Sequence, residues 1–426
     1  MTFTKLHTPK GTRDYLTLEV EYYRYIEEGL REKFKLWGYQ EIRSPTIEFV
    51  EALSTGVGSE LVDSMFKFQD FDGKIVALRP EMTAPVARII TTRMPSTPEP
   101  IRLFYICNVF RYSQSYIERG REFWQAGVEL IGCNTPEADG EILALLISSL
   151  KKIGLKEVRV DVGHASLLKD LLKATGLDEE KRAKLQNLLG YRDEARLEKF
   201  MDQNKIPPKL REIFLKLSSC RRLDEVSSVS LGSSKYGKTE DHLRKLLDVK
   251  DVLTDYGIEN LVFFDFSLTR KIEYYTGIVF EASVPNFGLP LGGGGRYDDF
   301  IEKFGKVKIP AIGFALEIEK CLQALTAQGF QPQKREKIRI LVASKFRSAA
   351  VKAVNAFHNA GVVALLDVTK SDEKKVLKYA ELAGIDYVIF VDSTIEKPVI
   401  VYDPKSNVKK NVTIETFLQN LGGSSS

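Results

Sequence analysis

Two long apolar runs, Ile101 to Arg111 and Glu122 to Ile131, stand either side of a short polar stretch from Ser113 to Gly120. Strands joined by so few residues pair as antiparallel neighbours, because a parallel crossover needs a dozen or more residues of connection. An antiparallel sheet is therefore the frame into which the rest of the chain has to fit. A shorter hairpin precedes it: Phe66 to Phe71 and Lys74 to Leu78 flank Asp72-Gly73, a dipeptide suited to a tight turn.

Helical periodicity fills the space between these strands. Apolar positions from Glu19 to Trp37 recur at helical spacing, and Gly38 stops the helix before the extended Tyr39 to Pro45. Arg79-Pro80 is expected to open a helix running through Arg88, and another runs from Glu137 to about Ile153. After a short strand at Val158 to Val162, residues 167 to 253 carry Leu-, Lys- and Glu-rich helical patterns that read as an inserted helical module. Strand signals resume at Leu261 to Phe266, Gly277 to Ser283 and Leu289 to Gly295, followed by an expected helix from Phe314 to Leu325.

Residues 328 to 336 are polar and carry Pro332, which makes them a linker between a first domain, 1–327, and a second, 337–421. In the second, Ile338 to Ala343, Val362 to Asp367, Tyr387 to Val391 and Val399 to Tyr402 are strands separated early on by helices to about Ala360 and Leu382. This order describes a small α/β domain with a partly parallel sheet. Residues 422 to 426 read as a flexible tail.

Composition narrows the function classes. With 426 residues, 43% hydrophobic and 28% charged, the chain can bury sizeable cores in two or three domains. Its 62 basic and 58 acidic residues leave a net charge of +4, too slight for a protein coated for nucleic acid, so any RNA contact has to be local. Cys107, Cys133, Cys220 and Cys321 are widely spaced and expected to be reduced core thiols; neither a metal site nor a cofactor is expected. The start has no signal-peptide pattern, and no window has the roughly 20 apolar residues of a membrane span. A cytoplasmic protein with no membrane partner is expected.

Four stretches carry a specific chemistry: Leu78-Arg-Pro-Glu-Met-Thr83, Phe110-Arg-Tyr through Arg119 to Glu129, Arg270-Lys-Ile-Glu-Tyr-Tyr-Thr-Gly277, and Gly293-Gly-Gly-Arg-Tyr-Asp298. Among them Glu81, Thr83, Gln125 and Glu129 supply carboxylates for an ammonium and for ring N–H groups, with neutral groups to fix orientation, an inventory suited to a zwitterion bearing an imidazole. The bland alternative stands beside it. Gln125, Gly127 and Glu129 alternate along a strand and fit its solvated face equally well, while Tyr274 and Tyr275 fit ordinary core packing.

The four stretches, with Gly11-Thr-Arg-Asp14 and Gly38-Tyr39 through Pro45, resemble the histidyl-tRNA synthetase family across most of the first 325 residues. The resemblance implies an α+β fold: a class II aminoacyl-tRNA synthetase-like antiparallel sheet with flanking helices and a helical insertion, plus a C-terminal α/β domain like the anticodon-binding domain. It implies a histidine pocket in which Glu81, Thr83 and Gln125 hold the amino group and Glu129 and Tyr275 read the imidazole. Tyr274 would line it, and Gly293 to Gly295 would let backbone approach the ligand. Arg111 and Arg270 match the arginines that grip the α-phosphate during adenylate formation, and are the catalytic candidates if the chain is a synthetase.

Departures from the family pattern fall on the nucleotide side. The family's motif-two Glu and Pro-Gln loop are replaced by Tyr112-Ser-Gln-Ser-Tyr116, and its Gly-x-Glu-Arg ending by Glu317-Ile-Glu-Lys320. Glu273 replaces an aspartate before the tyrosine pair. Lysine keeps the charge of arginine without its rigid fork. These losses are most like the regulatory-subunit branch of the family, in which no catalytic residue is expected and which assembles with the short-form ATP phosphoribosyltransferase catalytic subunit in histidine biosynthesis. Free histidine would be its ligand, in a homodimer or larger hetero-oligomer, with the segment from Gly38 to Glu48 at the dimer contact. The alternative is histidine–tRNA ligase, with tRNA as partner. Basic residues including Lys334, Arg335, Lys337, Lys345, Arg347 and Lys352 would then contact RNA, although such charges also suit a solvated face.

Overall fold

The structure, a computed structural model, describes residues 6–112, 120–191, 193–229, 237–268, 274–305, 307–330, 338–369 and 371–422. By contact, the chain divides into two units, Met1–Pro332 and Gln333–Ser426.

In the first unit, α1 (Thr17–Leu36) buries Tyr23, Ile26, Leu30 and Phe34 along one stripe and carries Lys33 and Lys35 in its last turn, where they complement the helix dipole. Gly38, at φ +83°, ends it. The amides of Gly38 and Tyr39 close back on the carbonyls of Lys35 and Phe34 at 3.0 and 3.1 Å, a Schellman arrangement that only a residue at ease in the left-handed region can complete. The chain continues through β1 (Gln40–Glu41), β2 (Ile47–Phe49), α2 (Val50–Ser54), α3 (Ser59–Asp63), β3 (Lys67–Gln69) and β4 (Ile75–Leu78), so the expected short hairpin forms and is joined by β2 in a small sheet ordered β2-β4-β3.

The next helix, α4 (Thr83–Arg93), begins later than Arg79-Pro80 predicts. Glu81 is the reason: its carboxylate accepts the amides of Thr83 at 2.6 Å and Ala84 at 2.7 Å and caps the helix from outside. Arg79 instead turns to β5 and donates to the Asn108 carbonyl at 2.9 Å.

The long hairpin is β5 (Ile101–Phe110) with β6 (Glu122–Ile131), antiparallel over ten residue pairs from Ile101↔Ile131 to Phe110↔Glu122. Residues 113–119 of its connecting loop lie outside the described residues. Then follow α5 (Pro136–Lys152), β7 (Arg159–His164), the insertion helices α6 (Ala165–Ala174), α7 (Glu179–Tyr191), α8 (Glu194–Gln203), α9 (Pro208–Ser219) and α10 (Gly237–Asp255), and β8 (Val262–Phe264), β9 (Ile278–Ser283) and β10 (Gly292–Arg296). Buried leucines of the insertion are continuous with the core under the main sheet.

Residues Ala311–Glu317 form β11, and α11 (Ile318–Ala327) begins only after it, which corrects the helix expected from Phe314. An apolar run buried on both faces has no alternation by which to tell strand from helix. The main sheet is ordered β1-β5-β6-β11-β10-β9-β7-β8, antiparallel except for the outer pairs β1–β5 and β7–β8. Even-numbered residues of β6, Ala126, Val128 and Leu130, pack with α1, α5 and α11, and Phe123 and Ile131 pack on the opposite face with α4, Tyr274 and Tyr297.

In the second unit, β12 (Arg339–Ala343), α12 (Arg347–Asn359), β13 (Val363–Leu366), α13 (Glu373–Leu382), β14 (Tyr387–Phe390), β15 (Val399–Asp403), β16 (Val408–Val412) and α14 (Ile414–Gly422) make a sheet ordered β13-β12-β14-β15-β16. The pairs β12–β13 and β12–β14 are parallel and the rest antiparallel. Sequence reading missed β16, whose exposed Lys409, Lys410 and Asn411 carry no strand-like apolar pattern, and α14 after it. Lys345, Arg347 and Lys352 are exposed, while Lys334, Arg335 and Lys337 lie outside the described residues. Cys220 and Cys321 are buried, whereas Cys107 and Cys133 are only half-buried rather than core thiols.

Candidate functional site

The face of the main sheet opposite α1 and α5 holds a cavity of about 540 Å³, lined by Glu81 and Thr83 from the start of α4, Gln125 and Glu129 from β6, Arg111, Tyr274 and Tyr275. Every described side chain expected to bind histidine meets there. Arg270 and Glu273 lie outside the described residues. Gln125 and Glu129 are 6% and 2% exposed, which disposes of the solvated-face alternative for both.

Glu129 is the most constrained of these groups. Tyr297 donates its hydroxyl to one carboxylate oxygen, and the Thr83 hydroxyl approaches the other at 3.5 Å. Tyr274 in turn donates to the Thr83 oxygen at 3.2 Å. Directly across the strand pair sits Gly313, where any side chain would fall on the Glu129 carboxylate. Burial pushes Glu129 up to about 8, against the pull of the Tyr297, Thr83 and Tyr105 hydroxyls, with neighbouring Glu81 adding to the rise. Glu81 is also raised by burial, although its two backbone N–H donors and Arg111 oppose this.

Arg111 reaches back from the end of β5 to the carbonyl of Pro80 at 2.7 Å and lies over the ring of Phe123, 5.3 Å from its centre. Tyr274 and Tyr275 pack ring to ring at 5.0 Å. Of the expected glycines, Gly293 lines the cavity together with Gly292, while Gly294 and Gly295 are outside its lining and let β10 lie close to β11 and to the Tyr275 ring.

Glu317 and Lys320 both line the cavity too, at the junction of β11 and α11. Because Glu317 ends a strand, its side chain shares the face of Gln125, with which it is in register. Glu319, the residue between them on α11, faces away and accepts the amide of Trp124 at 2.9 Å, continuing the ladder where β11 ends.

Sequence reading missed Tyr105, Tyr297, Tyr112, Glu60 and Glu281 as lining residues. The available signal for Tyr105 was Gly127, its partner in register, which leaves room for the phenol between Gln125 and Glu129. Among the described lining residues, five carboxylates, those of Glu60, Glu81, Glu129, Glu281 and Glu317, face the two cations Arg111 and Lys320. Among the described residues no group of three or more His, Cys, Asp or Glu side chains is disposed to hold a metal, and no helix is long and apolar enough to cross a membrane.

An antiparallel sheet with this strand order, carrying a glutamate- and tyrosine-lined cavity on one face, is the architecture of a class II synthetase-like protein. Residues 11–321 match the family model for histidyl-tRNA synthetase, and residues 335–422 match that for an anticodon binding domain. The chain belongs to the histidyl-tRNA synthetase family. It is 33% identical to the ATP phosphoribosyltransferase regulatory subunit of Halothermothrix orenii, over 96% of this chain and 98% of that one. It is 34% identical to the histidine–tRNA ligase of Thermococcus kodakarensis, over 98% of both. A crystal structure described as an ATP phosphoribosyltransferase regulatory subunit/histidyl-tRNA synthetase from Bacillus halodurans superposes with a TM-score of 0.78 at 28% identity, covering 92% of this chain and all of the other.

Proposed function

We propose that this protein is the regulatory subunit of an ATP phosphoribosyltransferase, binding free histidine as a signal in the first step of histidine biosynthesis. The observation that carries the reading is Glu317, which faces the cavity where the synthetase pattern has glycine, beside Lys320 in place of arginine. Glu317 holds Lys320 in an ion pair of 3.1 Å, occupying the cation that would otherwise meet the phosphates of ATP.

In this reading Glu81, Thr83 and Gln125 take the amino group of histidine, Glu129 and Tyr275 read its ring, Tyr274 walls the pocket, and Arg111 with Arg270 receives the carboxylate. Phosphoribosyl transfer belongs to a short-form catalytic subunit, with this chain contributing as a homodimer or within a larger hetero-oligomer in the cytoplasm. Histidine need prefer one arrangement of the complex by only about 1 to 3 kcal/mol to act as a feedback signal.

A second reading, histidine–tRNA ligase, is favoured by the anticodon-binding match and by relatives of that name. Histidine-dependent ATP–pyrophosphate exchange on the purified protein separates the two. The regulatory reading expects histidine uptake by calorimetry with no exchange, and stimulation of the catalytic subunit that histidine reverses; robust exchange would overturn it.

A further inference from the structure

A carboxylate can read a ring N–H only if its oxygens are held still and one acceptor position is left open. At Glu129 the Tyr297 hydroxyl donates to one oxygen and the Thr83 hydroxyl approaches the other at 3.5 Å. Thr83 receives the proton of Tyr274, so its own points to Glu129 and the direction of the chain is fixed.

Of the two, Tyr297 is the more firmly seated. It is 2% exposed, its amide donates to the Ala311 carbonyl at 2.8 Å, and its ring stands edge-on to those of Tyr274 and Phe300, 5.6 and 6.0 Å away. Gly313, opposite, leaves open the space that its own side chain would take from the Glu129 carboxylate. We propose that Tyr297 is a positioning residue that fixes the Glu129 carboxylate and thereby sets how strictly the cavity distinguishes an imidazole from a five-membered ring without an N–H. The proposal rests on the histidine reading given above. Burial and the adjacent Glu129 hold the Tyr297 phenol well above its ordinary range, which keeps it a donor.

The test compares histidine with thiazol-4-ylalanine, whose ring has the same size but no N–H, by calorimetry on the full chain and its Tyr297→Phe variant. The variant keeps the ring and loses one oxygen. Histidine is expected to bind about tenfold more weakly to it, the worth of one hydrogen bond, while the thiazole analogue changes by less than about twofold. Phe300→Leu, which loosens the same ring but keeps its hydroxyl, should lower the melting temperature and leave the ratio of the two affinities as in the parent. Equal weakening of both ligands, no change in either, or a Tyr297→Phe chain that does not fold would each overturn the proposal, placing the hydroxyl in packing rather than recognition. A parent protein that binds no histidine would instead remove the histidine reading, and this inference with it.

Discussion

Glu317 and Lys320 form an ion pair of 3.1 Å across the strand-to-helix junction, with both side chains less than a tenth exposed. A buried pair of this kind is worth little net of desolvation, but removing one member strands the other charge. Lys320→Met should therefore cost about 3 to 5 kcal/mol. The double change Glu317→Gln with Lys320→Met should recover most of that loss. Urea unfolding of the set measures both, and equal stability of the single and double variants would contradict the coupling.

The same junction decides whether the cavity accepts a polyanion. Glu317→Gly with Lys320→Arg restores the synthetase-like ending, removing the repelling carboxylate and supplying a bidentate fork. ATP affinity measured by calorimetry should rise at least about tenfold, well within the Coulomb term of a neighbouring like charge. Unchanged affinity would show that Glu317 is not what excludes the nucleotide.

Glu129 makes stability depend on pH in a definite direction. Its carboxyl is raised from 4.5 to about 8, chiefly by burial, so between those values the folded chain holds a proton that the unfolded chain has released. The contribution is largest below the unfolded value and is lost as pH rises through the folded one, at no more than about 1.4 kcal/mol per pH unit for one proton. Glu129→Gln removes the ionisation while the neighbouring Glu81, Tyr105, Tyr297 and Thr83 stay. Its melting temperature relative to the parent should climb between pH 5 and pH 8.5 and level off above; a constant difference across that range would contradict the buried carboxyl.

How far the sequence shows this arrangement depends on what sets each feature. The β5–β6 hairpin is legible because two ten-residue apolar runs have one way to pair across a short loop. Glu81, Thr83, Gln125 and Glu129 are legible as a set because each sits in a motif with its own chemical logic. The start of α4 is not, since Glu81 caps through its side chain and displaces the helix past Pro80. Nor is the role of Glu317, which depended on β11 ending where it does; as a helical residue it could have faced anywhere. Tyr105 hides in an apolar stretch where a tyrosine reads as packing, and Tyr297 sits in a motif where the glycines and Arg296 draw the attention.

Arg296 illustrates the same division within one motif. Tyr297, its neighbour, turns to the cavity, whereas the Arg296 guanidinium is spent on Asp139 of α5 at 2.6 Å, Asp298 at 3.0 Å and the Cys133 carbonyl at 2.8 Å, tying β10 to the helix behind the sheet. Its side chain is 4% exposed. Asp139→Asn leaves that cation buried with one partner fewer and should destabilise the fold by about 3 to 5 kcal/mol. Arg296→Lys keeps the charge but cannot reach three acceptors in a plane, so it should fall between the parent and Asp139→Asn. Because neither residue lines the cavity, histidine affinity measured well below the melting transition should hold within about twofold. A loss of affinity larger than the loss of stability would instead make the Arg296–Asp139 pair part of the recognition apparatus through Tyr297.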